Sequence, residues 1–479
     1  MHPQAPGLSK RLQAQLEEGS ESPLLGAIGK TFGNQYDPDS NPNGVINAGM
    51  AENVRLPSAD HDSLFPLSIS FPQSLMQDWT KAFFERPGTL KLVHTDFTYG
   101  QSVLGSNRLL SSLTAYYTRF FSPVTPVQPQ HFCTSNGATS SIERLAACIS
   151  DEGDSWLFPT PYYNSFPEDL GMTSKVGLVG VHVPEGQHGE MGEIEALEAE
   201  MVRRKGKGAT KITAVLVTNP HNPLGFCYKR EILVEYCRFA QRHSLYLIVD
   251  EIYALSVFDS PDMPNPLPFT SILSIDPLKE AECNPARVVQ LYGMSKDFGA
   301  NGFRAGNLCI QHNPALVGAL AATAFPARMG SPTDILWSAL LDSPELSTFL
   351  TLNRRALSRS YSFLSAWLRS HNIAYRPANA GHFILADFRE HVRKIEPSGS
   401  QAVEENPSKG QEVAFLNKLV DEAKVYLGPG FSYAVSPPYG FFRITFSLRR
   451  EELEVALNRI EKMCGFDSRV AELSKEYPQ

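Results

Sequence analysis

Short, nearly continuous apolar runs mark the middle of this chain. Residues 211–218, 245–249 and 286–292 each read as a strand buried on both faces, and 154–163 as a strand feeding a proline-locked turn. A shorter strand ends near 133–135. Between them lie helical patterns at 106–121, 140–149 and 231–244; the last carries Ile232, Tyr236 and Phe239 at helical spacing. Alternation of strand and helix predicts a doubly wound α/β domain, with functional residues at the C-terminal ends of its strands. Beyond about residue 330 the pattern changes to amphipathic helices and short strands, closing in a helix over 451–463 with Leu453, Leu457, Ile460 and Met463 on one face. The expected division is an N-terminal arm with part of a small domain (1–65), a large α/β domain (66–330) and a small α+β domain (331–479). Residues 10–18 read as a helix or arm, 261–268 as a proline-rich loop, and the polar run RKIEPSGSQAVEENPSKGQ (393–411) as a solvated loop insertion. No internal repeat is visible.

Composition narrows this little. With 479 residues, 42% hydrophobic and 20% charged, the chain suits a globular enzyme with a large core. A net charge of −8 argues against nucleic acid or an anionic membrane as main partner. The seven cysteines are scattered and form no CxxC pair, which points away from a zinc site or disulfide framework and toward a reducing compartment. The first residues contain no apolar core of a secretion signal, and no stretch is long enough to span a bilayer, so a cytoplasmic location is expected.

Candidate chemistry concentrates where the apolar runs stop. Lys296 follows the run 286–292 among small residues, and Arg304 stands eight positions on between Gly302 and Gly306. An amine held out of water is a nucleophile toward a carbonyl, and a guanidinium fork pairs with phosphate. An aldehyde-binding lysine beside a phosphate-binding arginine describes pyridoxal phosphate. Gly137, Ala138 and Thr139 open a helix whose free N–H groups make a ready anion site, or a plain helix start. Asp250 directly follows five apolar residues, where a carboxylate needs a cationic partner such as a protonated pyridine nitrogen. Tyr253 follows three residues later.

SKDFGANGFRAG (295–306) resembles the Schiff-base lysine motif of fold-type I pyridoxal-phosphate enzymes. Within them it is most similar to the 1-aminocyclopropane-1-carboxylate (ACC) synthase branch of the class I and II aminotransferase family. YDPDSNPNGVINAGMAEN (36–53), PTPYY (159–163), NPHNPLG (219–225), VDEIY (249–253) and YGFFRITF (439–446) follow the same family in order, so the resemblance spans roughly 36–465. It implies the fold-type I architecture, a large doubly wound sheet domain with a smaller α+β domain. It also implies roles: Lys296 holds pyridoxal 5′-phosphate covalently, and Asp250 faces its ring nitrogen. Tyr163 stacks on the ring, while Asn222 and Tyr253 reach its phenolic oxygen. Gly137, Ala138, Thr139, Ser295 and Arg304 hold the phosphate. Tyr99 in DFTYG (96–100) matches a tyrosine that reaches the neighbouring subunit's phosphate, which implies a homodimer with a shared active site. The hydroxyl of Ser331, after Gly330, is a further candidate for the phosphate across that interface. Glu52 and Arg443 are implied at the substrate, Arg443 gripping its α-carboxylate. Gly293 departs from the family, which has serine three places before the lysine.

The implied activity is chemistry at Cα of an α-amino acid in small-metabolite biosynthesis. The ACC-synthase-like segment 36–53 favours a carbon–heteroatom lyase or γ-elimination or substitution enzyme. An aminotransferase is the alternative, and a non-catalytic scaffold of the same fold is a third reading from another class.

Overall fold

The computed structural model describes residues 22–51, 75–100, 102–205, 208–395 and 406–478. The helix expected at 10–18 and the candidate Glu52 lie outside the described residues. In chain order the strands are β1 (Ile46–Asn47), β2 (Phe132–Ser135), β3 (Ser155–Thr160), β4 (Gly177–His182), β5 (Ile212–Thr218), β6 (Tyr246–Asp250), β7 (Val288–Gly293), β8 (Gly306–Cys309), β9 (Phe383–Asp387), β10 (Val425–Tyr426), β11 (Gly428–Pro429) and β12 (Phe441–Thr445).

Seven of them form one sheet in the order β2-β8-β7-β6-β5-β3-β4. It is mixed: β8 runs antiparallel to both neighbours, and the other pairs are parallel. The apolar runs are continuous because neither face of the sheet meets water. Leu157, Val215, Val217, Leu247 and Val249 pack into the core on one face, with Leu109, Leu113, Ile232 and Phe239 of helices Asn107–Phe120 and Arg230–Arg242. The intervening Trp156, Phe158, Ala214, Leu216 and Ile248 pack on the other, with Ile142 and Leu145 of helix Ala138–Ile149.

Strand register assembles the site. Thr218 pairs with Asp250, and Asp250 with Leu291, so β5, β6 and β7 end together. Gly306 lies opposite both Gly293 and Ser135, which brings the Lys296 loop, the Arg304 turn and the start of helix Ala138–Ile149 to one point. A Cβ on Gly306 would stand 2.5 Å from the Ala138 nitrogen, so only glycine permits that crossing.

The second core surrounds the antiparallel sheet β11-β12-β9. Residues 45–48 join it: β1 pairs with β10, and Ala27, Val45, Ile46 and Ala48 pack in its core. The cores do not divide at residue 330. Trp337, Leu340, Leu346, Phe349 and Leu350 belong to the large core, whereas Leu357, Tyr361 and Leu364 belong to the small one. Helix Leu346–Ser370, 25 residues long, runs through both, so the change of pattern near 330 follows the last strand of the seven-stranded sheet rather than the end of its core. The expected insertion at 393–411 is also shorter than its polarity implies. Residues 396–405 lie outside the described residues, but Ser408 and Gln411 form a capping box that starts helix Lys409–Lys418.

Candidate active site

Lys296, Asp250, Tyr253, Thr139, Ala138, Tyr163, Asn222, Ser295, Arg304 and Arg443 all line one cavity of ≈ 280 Å³. Ten positions spread over more than 300 residues of sequence thus meet beyond the ends of β2, β3, β5, β6 and β7, ahead of β8 and on β12.

The anion end is built from backbone. Gly137 caps helix Ala138–Ile149 with φ +95°, a conformation that favours glycine, and leaves the first N–H groups of the helix facing the cavity. A Cβ there would lie 2.4 Å from Arg304 Nη2. Arg304 therefore packs on the bare backbone of the cap; its Nη1 donates to Asn301 O at 2.8 Å. Gly293 lies beneath this end, where a Cβ would meet Ala305 O at 2.6 Å. The serine usual in the family does not fit there, and Ser295 is the hydroxyl at the cavity wall.

At the opposite end stands Asp250, 6% exposed, accepting from the Ile252 N–H at 3.1 Å. Burial lifts its carboxyl to about 7; that N–H and the Lys296 charge oppose the rise. Lys296 Nζ donates to Ala51 O at 2.7 Å. Tyr253 is buried, and its hydroxyl has no hydrogen-bond partner among the described residues.

Arg443 is 2% exposed on β12. Its Nη1 donates to Asn222 Oδ1 at 2.8 Å and its Nη2 to Gly49 O at 2.7 Å, while Nε is buried without a partner. Phe383 and Tyr433 sandwich the guanidinium, each ring centroid 4.6 Å away. Two desolvated cation–π contacts contribute on the order of 2 kcal/mol each and fix the plane of the fork. Because Asn222 accepts through Oδ1, its amide N–H groups remain to donate into the cavity.

Two expected residues stand apart. Tyr99 is 75% exposed against Phe325, and does not line this cavity. Ser331 lies with Gly100 and Arg328 at a separate small hollow. The structure adds Ile28, Met50, Asp169, Tyr426 and Tyr433 to the wall. Asp169 is buried beside Thr139, and burial lifts its carboxyl to about 7. Met50 falls within the motif at 36–53, but the others carry no sequence signal: Asp169 sits in an ordinary helix pattern and Tyr433 in a glycine-rich loop.

These residues fit pyridoxal phosphate by their own chemistry. A helix start cleared of side chains meets an arginine, a primary amine lies between, and a buried carboxylate waits for a cation. The Arg443 guanidinium and the Tyr253 phenol belong to residues lining the same space.

Comparison with known proteins agrees. Residues 67–460 match the profile of aminotransferase class I and II. The chain is 35% identical over 374 residues to a protein of Aspergillus fumigatus named "Probable aminotransferase gliI", covering 77% of this chain and 82% of the relative. It is 28% identical over 434 residues to 1-aminocyclopropane-1-carboxylate synthase 2 of Cucurbita pepo, covering 89% and 80%. Among solved structures it superposes on aspartate aminotransferase from Thermus thermophilus with a TM-score of 0.65 at 20% identity, over 96% of this chain and 100% of that one, which speaks to fold. Motifs, fold and relatives converge: this chain belongs to the class I and II aminotransferase family of pyridoxal-phosphate-dependent enzymes.

Proposed function

We propose that this enzyme breaks the Cα–H bond of an α-amino acid and directs the electron pair to expel a β- or γ-substituent. One observation carries the reading. The ACC-synthase-like segment ends directly on the reactive groups, with Gly49 O on Arg443 at 2.7 Å and Ala51 O on Lys296 at 2.7 Å. Arg443, held between two rings, would grip the substrate carboxylate and so orient its Cα–H bond. The bound cofactor supplies an electron sink for the charge left at Cα. Lys296 would hold the cofactor's aldehyde, and its Nζ, once free, would be the base that takes the Cα proton. Asp250 would face the cofactor's ring nitrogen and favour its protonated form, a cation beside a carboxylate whose pKa burial has raised.

Transamination is the second reading, favoured by the fungal relatives, which are named as probable aminotransferases. Incubation with an amino acid alone separates the two. A lyase turns over many times and releases the substituent; a transaminase yields one 2-oxo acid per site and stops until a second oxo acid is added.

We propose further that the enzyme is a homodimer. Val93, Phe97 and Tyr99 lie close in sequence and are more than half exposed, as is Phe325, whose ring lies 5.0 Å from that of Tyr99, a surface a second copy would cover. Mixing a Tyr99→Ala protein with a Lys296→Ala protein should restore sites that neither possesses alone; no restoration refutes the shared site. Seven free cysteines support a reducing, cytoplasmic location. Imaging of a tagged chain tests it.

A further inference from the structure

We infer that His382 is a positioning residue for the reactive lysine, acting from the small domain through Ser256 and Asp297; the inference rests on Lys296 being that lysine. His382 is buried just before β9, Ser256 lies in the loop after β6, and Asp297 is the residue after Lys296. Ser256 Oγ stands 2.6 Å from Asp297 Oδ1 and 2.9 Å from His382 Nε2. A hydroxyl has one proton, and the carboxylate takes it. His382 must then donate from Nε2 to the serine oxygen. On the other carboxylate oxygen, Asp297 accepts from Leu255 N–H at 3.0 Å and from the Tyr292 hydroxyl at 2.9 Å. The Tyr116 hydroxyl, 2.7 Å from that of Tyr292, completes the chain. Every proton points toward the carboxylate beside Lys296.

The imidazole is neutral. Burial, then the charges of Lys296 and Arg443, push its pKa down to about 3. It also meets the Tyr253 ring edge-on, centroids 5.5 Å apart at 79°. Gly381 N–H donates to Ser256 O at 2.9 Å, and Phe446 N–H to His382 O at 2.9 Å. One side chain thus touches a phenol at the cofactor cavity and the hydrogen-bond chain that anchors the lysine loop, while its backbone belongs to the small domain. Placement of that domain is transmitted to Lys296 through two hydrogen bonds.

The test is kinetic and spectroscopic. His382→Leu removes the donor and should lower kcat about tenfold with KM for the amino acid within about threefold, the ratio one hydrogen bond supplies. It should also speed loss of the cofactor's visible absorbance when holoenzyme is diluted. His382→Gln keeps an N–H donor and should restore both. Ser256→Ala should reproduce the kcat loss, and the double variant should be no worse than Ser256→Ala alone. Wild-type behaviour of His382→Leu, failure of Gln to rescue, or additive losses overturns the inference. Should His382→Leu not fold, Ser256→Ala decides alone: a kcat loss supports the relay and wild-type kinetics overturns it. Lys296→Ala separates the underlying reading, since a covalently bound cofactor that survives that change refutes Lys296 itself, whatever His382 does.

Discussion

Asp250→Asn should make the cofactor-free protein more stable at neutral pH while it disables the enzyme. The carboxyl is buried and fully ionised only at a cost, because burial lifts its pKa from the ordinary 3.8 to about 7. At about 1.4 kcal/mol per pH unit, that gap is worth about 4 kcal/mol. The carboxyl borders an open cavity, so the share expressed is roughly 2–4 kcal/mol. The sign follows from the raised folded value. Below 3.8 the group is protonated in both folded and unfolded chains and imposes no penalty. The penalty grows as pH rises from there and is complete above about 7. Asparagine keeps the shape and removes the charge. Urea unfolding of cofactor-stripped wild type and variant should show the gain at about pH 8 and less than half of it at about pH 5. Activity of the reconstituted variant should fall by at least about a thousandfold, since the ring nitrogen loses its counter-charge. No stabilisation at pH 8, or an equal gain at both pH values, would refute the claim that burial of this carboxylate outweighs the nearby Lys296 charge until the cofactor arrives.

Other expectations follow from the same cavity. Arg443→Lys should raise KM for the amino acid about a hundredfold in steady-state assays while the cofactor absorbance stays, because a point charge replaces a planar fork. Tyr433→Phe should leave KM within about twofold, whereas Tyr433→Ala should raise it about tenfold by uncovering one face of Arg443. Gly137→Ala places a Cβ 2.4 Å from Arg304 Nη2 at a positive φ, so cofactor affinity measured by absorbance titration should fall at least about tenfold.

Much of this site is legible in the bare sequence because its groups break strong local patterns. Asp250 interrupts an apolar strand, Lys296 and Arg304 stand in a glycine-rich turn, and Gly137 opens a helix; each departs from what its surroundings need for folding alone. Asp169, Tyr426, Tyr433 and His382 break no pattern. Each sits where an ordinary core or loop residue would, and reaches the site or its anchoring chain through contacts set by tertiary structure. The point where the two cores divide is not the domain boundary expected near residue 330, for a related reason. An amphipathic helix that changes the core it packs against keeps the same periodicity throughout, and periodicity is all that a sequence displays.

That helix, Leu346–Ser370, has a mechanical consequence. Phe349 near one end and Leu364 farther along are anchored in different interiors, with unbroken helix between them. Melting either interior frees one half of the rod and withdraws support from the other, so heat should dismantle the subunit in a single step. A continuous helix shared in this way couples the two interiors as a stiff beam rather than a loose tether.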